Sequence, residues 1–245
     1  MTSGYQLKTS MVIGRRLFVY LMSDTVWFLT SNSGKLAEAS VHFAELGMEV
    51  KCLEVPDGTI VEPQAPDLEA VARAKIEQAL DHLPHDNAML LVEDAGLFVS
   101  ALDGFPGVYS SYAYDTIGNQ GVIRLLEHLQ SEDPVRAKRL RAASFKAVSV
   151  LWKNGEVLIG RGECQGSIAS QIQGAEGFGF DPIFIPYDLD EDGLSLDPEK
   201  LGSLSTHGRT FGEVGVEVKH RFSHRKRALD DLLNEWQNQR SQDGP

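Results

Sequence analysis

Four short segments of this 245-residue chain bring together residue types that do chemistry at close spacing. The first, Thr30 to Lys35, reads TSNSGK, with Ser31, Asn32, Ser33 and Gly34 making a small-residue turn ahead of an amphipathic stretch. Such a turn at a helix N-terminus offers backbone N–H groups to an anion, and Lys35 adds a positive charge beside them. The likeness to a phosphate-cradling P-loop is superficial, because the leading glycine is missing and Leu36, not Ser or Thr, follows the lysine. A capped turn with a solvent lysine is the plainer alternative. The second segment, Val92 to Leu97, sets Glu93 and Asp94 at the end of an apolar run. Carboxylates there are costly unless they hold a metal, meet a cation or move a proton. Adjacent strand residues face opposite sides, so one of the two is expected to point at a site.

The third segment, Gly177 to Pro182, reads GFGFDP. Phe178 and Phe180 stand among glycines, where an aromatic ring can stack on a planar ligand or tuck into the core. The fourth is Ser223-His224-Arg225, at the start of the last amphipathic stretch. Cations at a helix N-terminus oppose its dipole, so these two are expected to have another partner.

The elements that must hold these groups follow from periodicity. Val26 to Leu29 is a short apolar run, read as a buried strand, and Leu36, Ala39, Phe43 and Leu46 then share one helical face up to Gly47. Met48 to Val55 reads as a second strand. Asp67 caps a second helix through Leu68, Val71, Ala72, Ile76, Ala79 and Leu80, and Met89 to Val92 is the strand that delivers the two carboxylates. Val122 to Leu129 supplies a third helical face. Ala143–Trp152 and Glu156–Cys164 flank Asn154-Gly155, a strong hairpin signal. Strand–helix units beside an antiparallel hairpin predict an α/β fold, a mixed twisted sheet with flanking helices, and the chain length suits one large or two-lobed domain.

Composition bounds the partners. Lys and Arg number 23 against 35 Asp and Glu, a formal charge of −12, which argues against gripping a nucleic-acid backbone or an anionic membrane. Cys52 and Cys164 make neither a disulfide framework nor a zinc motif, which fits a reducing cytoplasm. Residues 1–22 are expected to be a leader or a non-native start, residues 23–238 the folded domain with an insertion at about 187–208, and residues 239–245 a disordered tail. Within the insertion, Asp188, Asp190, Asp192, Gly193 and Glu199 fit the spacing of a calcium loop, but Ser195, Pro198 and the neighbouring sequence do not suit one. A solvated acidic excursion is the expectation.

In this order the four segments, with LDGFPGVYSSY (Leu102 to Tyr112), GFGFDPIF and SHR-x-x-AL, resemble the inosine triphosphate pyrophosphatase family over about Val26 to Trp236. The resemblance implies two lobes around a central active-site cleft, and Mg²⁺-dependent hydrolysis of ITP, dITP and XTP to the monophosphate and pyrophosphate, in a homodimer. It implies that Thr30 to Lys35 line the triphosphate, that Glu62 and Asp94 hold the metal, and that Asp94 with Lys35 is catalytic. Lys75 and Lys219 match lysines near phosphates and base. Phe178 would stack on the purine, Gly179, Phe180 and Asp181 would complete that wall, and His224 with Arg225 would read the base edge. Ala95 and His220 depart from the family pattern, which has Ser or Thr and Asn there. A pyrophosphatase for another modified nucleotide and a nucleotide-binding protein without turnover are the rival readings.

Overall fold

The protein is described by a computed structural model, which covers residues 25–242. The expected leader and residues 243–245 lie outside the described residues. Six strands form one mixed sheet in the order β2-β1-β3-β4-β5-β6. β1 (Thr25–Leu29), β2 (Glu49–Cys52) and β3 (Met89–Val99) run parallel, whereas β4 (Ala142–Lys153), β5 (Glu156–Ile168) and β6 (Phe184–Pro186) continue antiparallel. The parallel part needs crossovers, and α1 (Ser33–Ala44) and α2 (Leu68–Ala79) provide them. Asn32 accepts hydrogen bonds from the Gly34 and Lys35 amides at 2.9 and 3.1 Å, and Asp67 accepts one from Ala70 at 2.8 Å, so each helix starts at a capping side chain.

β3 is buried on both faces, as the central strand of a covered sheet must be. On one face, Val26, Phe28, Met89 and Leu91 pack against α1 and the last helix, α7 (His224–Gln242). On the other, Leu90, Val92, Val148 and Val150 pack against Leu68, Ala72 and Ile76 of α2. A third cluster joins Leu97 and Val99 to Phe184, Phe211 and Phe222, beneath the glycine-rich loop. α7 lies directly on β5 because the strand has no side chain at Gly162: a Cβ there would stand 1.9 Å from the His224 carbonyl oxygen. That glycine sets where the His224-Arg225 pair begins. The remaining helices are α3 (Ser110–Thr116), α4 (Gly118–Leu125), α5 (Pro134–Leu140) and α6 (Val216–Phe222).

Five expectations are corrected. The strand carrying Glu93 and Asp94 does not end at Val92 but runs to Val99, because β4 pairs with it continuously from Leu90↔Trp152 to Val99↔Ala143. The third helix ends at Leu125 rather than near Leu129, and β2 spans Glu49–Cys52 rather than Met48 to Val55. The last helix continues to Gln242, through the first residues of the expected tail. The acidic insertion is anchored rather than merely solvated: Leu189 is buried, bridges to Ser195 and Leu204, and joins the third apolar cluster. Asp188 accepts from Ser205 Oγ at 2.7 Å and from the Gly202 amide at 3.1 Å, Asp190 accepts from Asp192 and Leu194 amides, and Glu199 pairs with Arg139. These carboxylates serve turns and an arginine, and among the described residues they form no group that could hold a metal ion.

Candidate active site

The β1–α1 turn behaves first as a helix cap. Thr30 Oγ1 accepts from the Asn32 amide at 3.1 Å, and the Gly34 and Lys35 amides are taken by Asn32. The expected backbone cradle is thus occupied at these positions, and the charge that the turn offers an anion is Lys35. Its Nζ lies 3.3 Å from both the carbonyl oxygen and Oε1 of Glu93.

Alternation along β3 splits the two carboxylates. Glu93 faces α1 and α7, where its Oε1 accepts from Arg225 Nε at 2.7 Å. This is the partner that the cation at the α7 N-terminus required. Asp94 faces α2 and meets Lys75 Nζ at 2.9 Å, and Glu62 reaches the same Nζ at 2.5 Å. Burial lifts the Asp94 carboxyl above the usual carboxylate range, with Lys75 opposing it. Burial would lower the Lys75 ammonium, but Asp94 and Glu62 outweigh it and raise it.

The two aromatics of the glycine-rich loop have opposite fates. Phe178 stands 54% exposed, whereas Phe180 turns into the core at 4% and meets Tyr114 edge-on, 5.5 Å between centroids. Asp181 organises the loop: its Oδ2 accepts from the Phe178 amide at 2.7 Å and pairs with Lys219 Nζ at 2.5 Å. Gly177 leaves room for that carboxylate, since a Cβ there would stand 2.2 Å from the same oxygen. Lys219 Nζ lies 4.4 Å and Arg225 Cζ 5.6 Å from the centre of the Phe178 ring. His224 stacks nearly parallel on Phe145, with 5.1 Å between centroids. Burial, reinforced by Arg225 and Lys219, holds its imidazole well below the usual value, so it is neutral near pH 7. Its Nδ1 is buried with no hydrogen-bond partner, a group that a ligand can satisfy.

A cavity of about 400 Å³ joins these parts. Lys35 stands at its β3 side, and Phe178, Gly179, Phe180 and Asp181 form another wall. Lys219, His224 and Arg225 complete it. Thr30 to Gly34 do not line this cavity, nor do Glu62, Lys75 and Asp94, which gather across β3, although Ala95 and Gly96 immediately beyond Asp94 do line it. Lys35 still acts electrostatically on Asp94, so the two groups of residues share one field. Sequence reasoning missed Glu38, whose Oε1 lies 3.8 Å from Arg225 Nη1, and Tyr114 and Phe145 in the wall. Only Glu38 left a signal, three residues after Lys35 on the same helical face.

Glu62 and Asp94 converge on a single point, now held by the Lys75 ammonium. Mg²⁺ is commonly held by one or two carboxylates together with substrate phosphates, so this pair fits such an ion. Glu62 is well exposed. Among the described residues no three His, Cys, Asp or Glu side chains gather for a metal, which leaves further ligands to come from substrate or water.

A half-exposed aromatic ring with two cations over its face, a lysine at one end and paired carboxylates nearby defines an α/β protein suited to a planar, multiply charged anion. The comparisons narrow this class. The model of the Ham1 family matches residues 26–235, and the chain belongs to that family. It is 41% identical over 207 residues to the dITP/XTP pyrophosphatase of Thermococcus kodakarensis, covering 84% of this chain and 94% of that protein. It is 38% identical over 209 residues to the dITP/XTP pyrophosphatase of Ignicoccus hospitalis, covering 85% and 95%. Among solved structures, the Staphylococcus aureus Ham1 protein superposes with a TM-score of 0.66 at 26% identity, covering 88% of this chain and all of that one.

Proposed function

We propose that this protein hydrolyses noncanonical purine nucleoside triphosphates (ITP, dITP and XTP) to the monophosphate and pyrophosphate. The observation that carries the reading is the exposed Phe178 ring, with Lys219 and Arg225 at its face and Lys35 across the same cavity. The purine stacks on Phe178. Arg225 and the unpartnered Nδ1 of His224 address the base edge, where a 6-keto oxygen accepts and the 6-amino group of adenine cannot. Lys35 and Lys75 lie toward the phosphates and offset their charge. Mg²⁺ bound by Glu62 and Asp94 would neutralise phosphate oxygens and lower the barrier to attack at the α-phosphorus. Asp94 holds and orients the attacking water.

A second reading, nucleotide binding without turnover, is favoured by Ala95, which brings no hydroxyl to the cavity wall. A panel of triphosphates assayed with Mg²⁺ separates the two. Faster release from ITP, dITP and XTP than from ATP supports hydrolysis, and tight ITP binding with no product supports the second reading. We place the enzyme in the cytoplasm as a homodimer. No helix among the described residues is long and apolar enough to cross a membrane. Light scattering of purified protein checks the dimer, and a monomer mass at micromolar concentration contradicts it.

A further inference from the structure

One carboxylate stands between the phosphate-side lysine and the base-side arginine. Glu93 is 4% exposed, and its Oε1 is shared between Arg225 Nε at 2.7 Å and Lys35 Nζ at 3.3 Å. Its Oε2 is buried without a hydrogen-bond partner, as is Oε2 of Glu38 beside Arg225. A buried carboxylate with an idle oxygen is a poor stabilising device, since an apolar side chain of similar size would pack at lower cost. The arrangement therefore calls for a reason other than stability.

Geometry supplies one. Arg225 is buried and its Cζ lies 5.6 Å from the centre of the Phe178 ring, within reach of a base bound against that ring. A guanidinium anchored through Nε has its plane fixed, and its Nη groups remain as donors for planar recognition. The ring itself is held separately, because Asp181 accepts from the Phe178 amide and from Lys219. Glu93 thus acts on the arginine and not on the stacking face. The adjacent carboxylate, Asp94, is committed to Lys75 and Glu62 on the other side of the sheet.

We propose that Glu93 is a positioning residue for base discrimination, setting the Arg225 guanidinium against the purine edge while Lys35 balances the rest of its charge. The proposal rests on the reading of this cavity as a purine triphosphate site. Removing the Glu93 charge releases the guanidinium plane but leaves Lys35 its own charge, so selectivity is lost while phosphate affinity is kept.

The test measures kcat/KM for ITP and ATP in wild type, Glu93→Gln, Arg225→Ala and the double variant, with tripolyphosphate as a competitive inhibitor that has no base. Wild type that does not prefer ITP over ATP refutes the functional reading itself, and the proposal with it. Given that preference, Glu93→Gln is expected to shrink the ITP/ATP ratio by about tenfold, the scale of a charge-assisted hydrogen bond. The double variant is expected to lose no more selectivity than Arg225→Ala, and the inhibition constant of tripolyphosphate to stay within about twofold of wild type. A wild-type ITP/ATP ratio in Glu93→Gln overturns the proposal, as do additive losses in the double variant or a matching loss of tripolyphosphate affinity. If Glu93→Gln does not fold, Glu93→Asp keeps the charge near Lys35 but withdraws the carboxylate from Arg225. It must show the same selective loss, and unaltered selectivity there overturns the proposal equally.

Discussion

Truncating Phe178 to alanine isolates the stacking face from everything that supports it. The ring is 54% exposed, and the backbone amide that Asp181 holds is unaffected by the change. Surface substitutions of this kind alter stability by about 0.5 kcal/mol or less, so the variant should fold and melt as wild type does. Binding is a different matter. Stacking of a base on an aromatic contributes about 1–3 kcal/mol, which corresponds to a loss of about fivefold to 150-fold in affinity. On the proposed reading the phosphates keep their contacts with Lys35 and the α2-side cluster, so the loss should appear in KM for ITP with kcat nearly unchanged, the pattern of lost uniform binding. Steady-state kinetics with pyrophosphate release coupled to an inorganic pyrophosphatase measures both parameters, and Phe178→Trp, which retains an aromatic face, should stay near wild type. A KM within twofold of wild type in Phe178→Ala would refute the stacking role. A large fall in kcat at constant KM would instead assign the ring to the chemical step.

Asp94→Asn should cost about 10²–10⁴ in kcat with the fold intact by circular dichroism, and near-normal turnover at saturating Mg²⁺ would sink its role. Gly162→Ala puts a Cβ 1.9 Å from the His224 carbonyl oxygen and 2.5 Å from the Ala228 amide. Overpacking of that kind costs about 1–3 kcal/mol, so denaturant melts should shift and KM for ITP should rise as His224 is displaced; an unchanged melt contradicts the seating of α7 on β5. Between α1 and α7, Asp230 raises the buried His42 imidazole above 6.5, and although burial opposes it, His42 and Lys226 lower the Asp230 carboxyl. The His42 contribution is full below the unfolded value and fades as pH rises through the raised one. His42→Gln should therefore cost more at about pH 6 than at about pH 9, by at most about 1 kcal/mol given the exposure of Asp230, and a pH-independent difference would count against the pair.

Much of this was readable from local pattern. The β1 run, the Asp67 cap and the Asn154-Gly155 hairpin appear where period and turn chemistry put them. The unfavourable cations at Ser223-His224-Arg225 did signal a hidden partner, and Glu93 is that partner for Arg225. Sequence could not show that β3 continues past Glu93, because acidic residues and a glycine read as a strand end; only the unbroken pairing with β4 keeps the strand going. Nor could it separate Phe178 from Phe180, two residues apart between glycines, since the backbone of the loop decides which ring enters the core. The acidic spacing from Asp188 to Glu199 does not show as a gathered set of carboxylates in the structure. Matching intervals in sequence do not make carboxylates converge when Ser205, local amides and Arg139 claim them first.

The central claim is that the cavity holds a noncanonical purine triphosphate for cleavage between the α- and β-phosphates. Quantifying both products from ITP with Mg²⁺, by chromatography for the nucleotide and by separate assays for pyrophosphate and orthophosphate, tests it most directly. The expected products are inosine monophosphate and pyrophosphate in equal amounts, with no diphosphate and a much lower rate with ATP. Orthophosphate with the diphosphate, or no product from ITP under conditions where it binds, would contradict it.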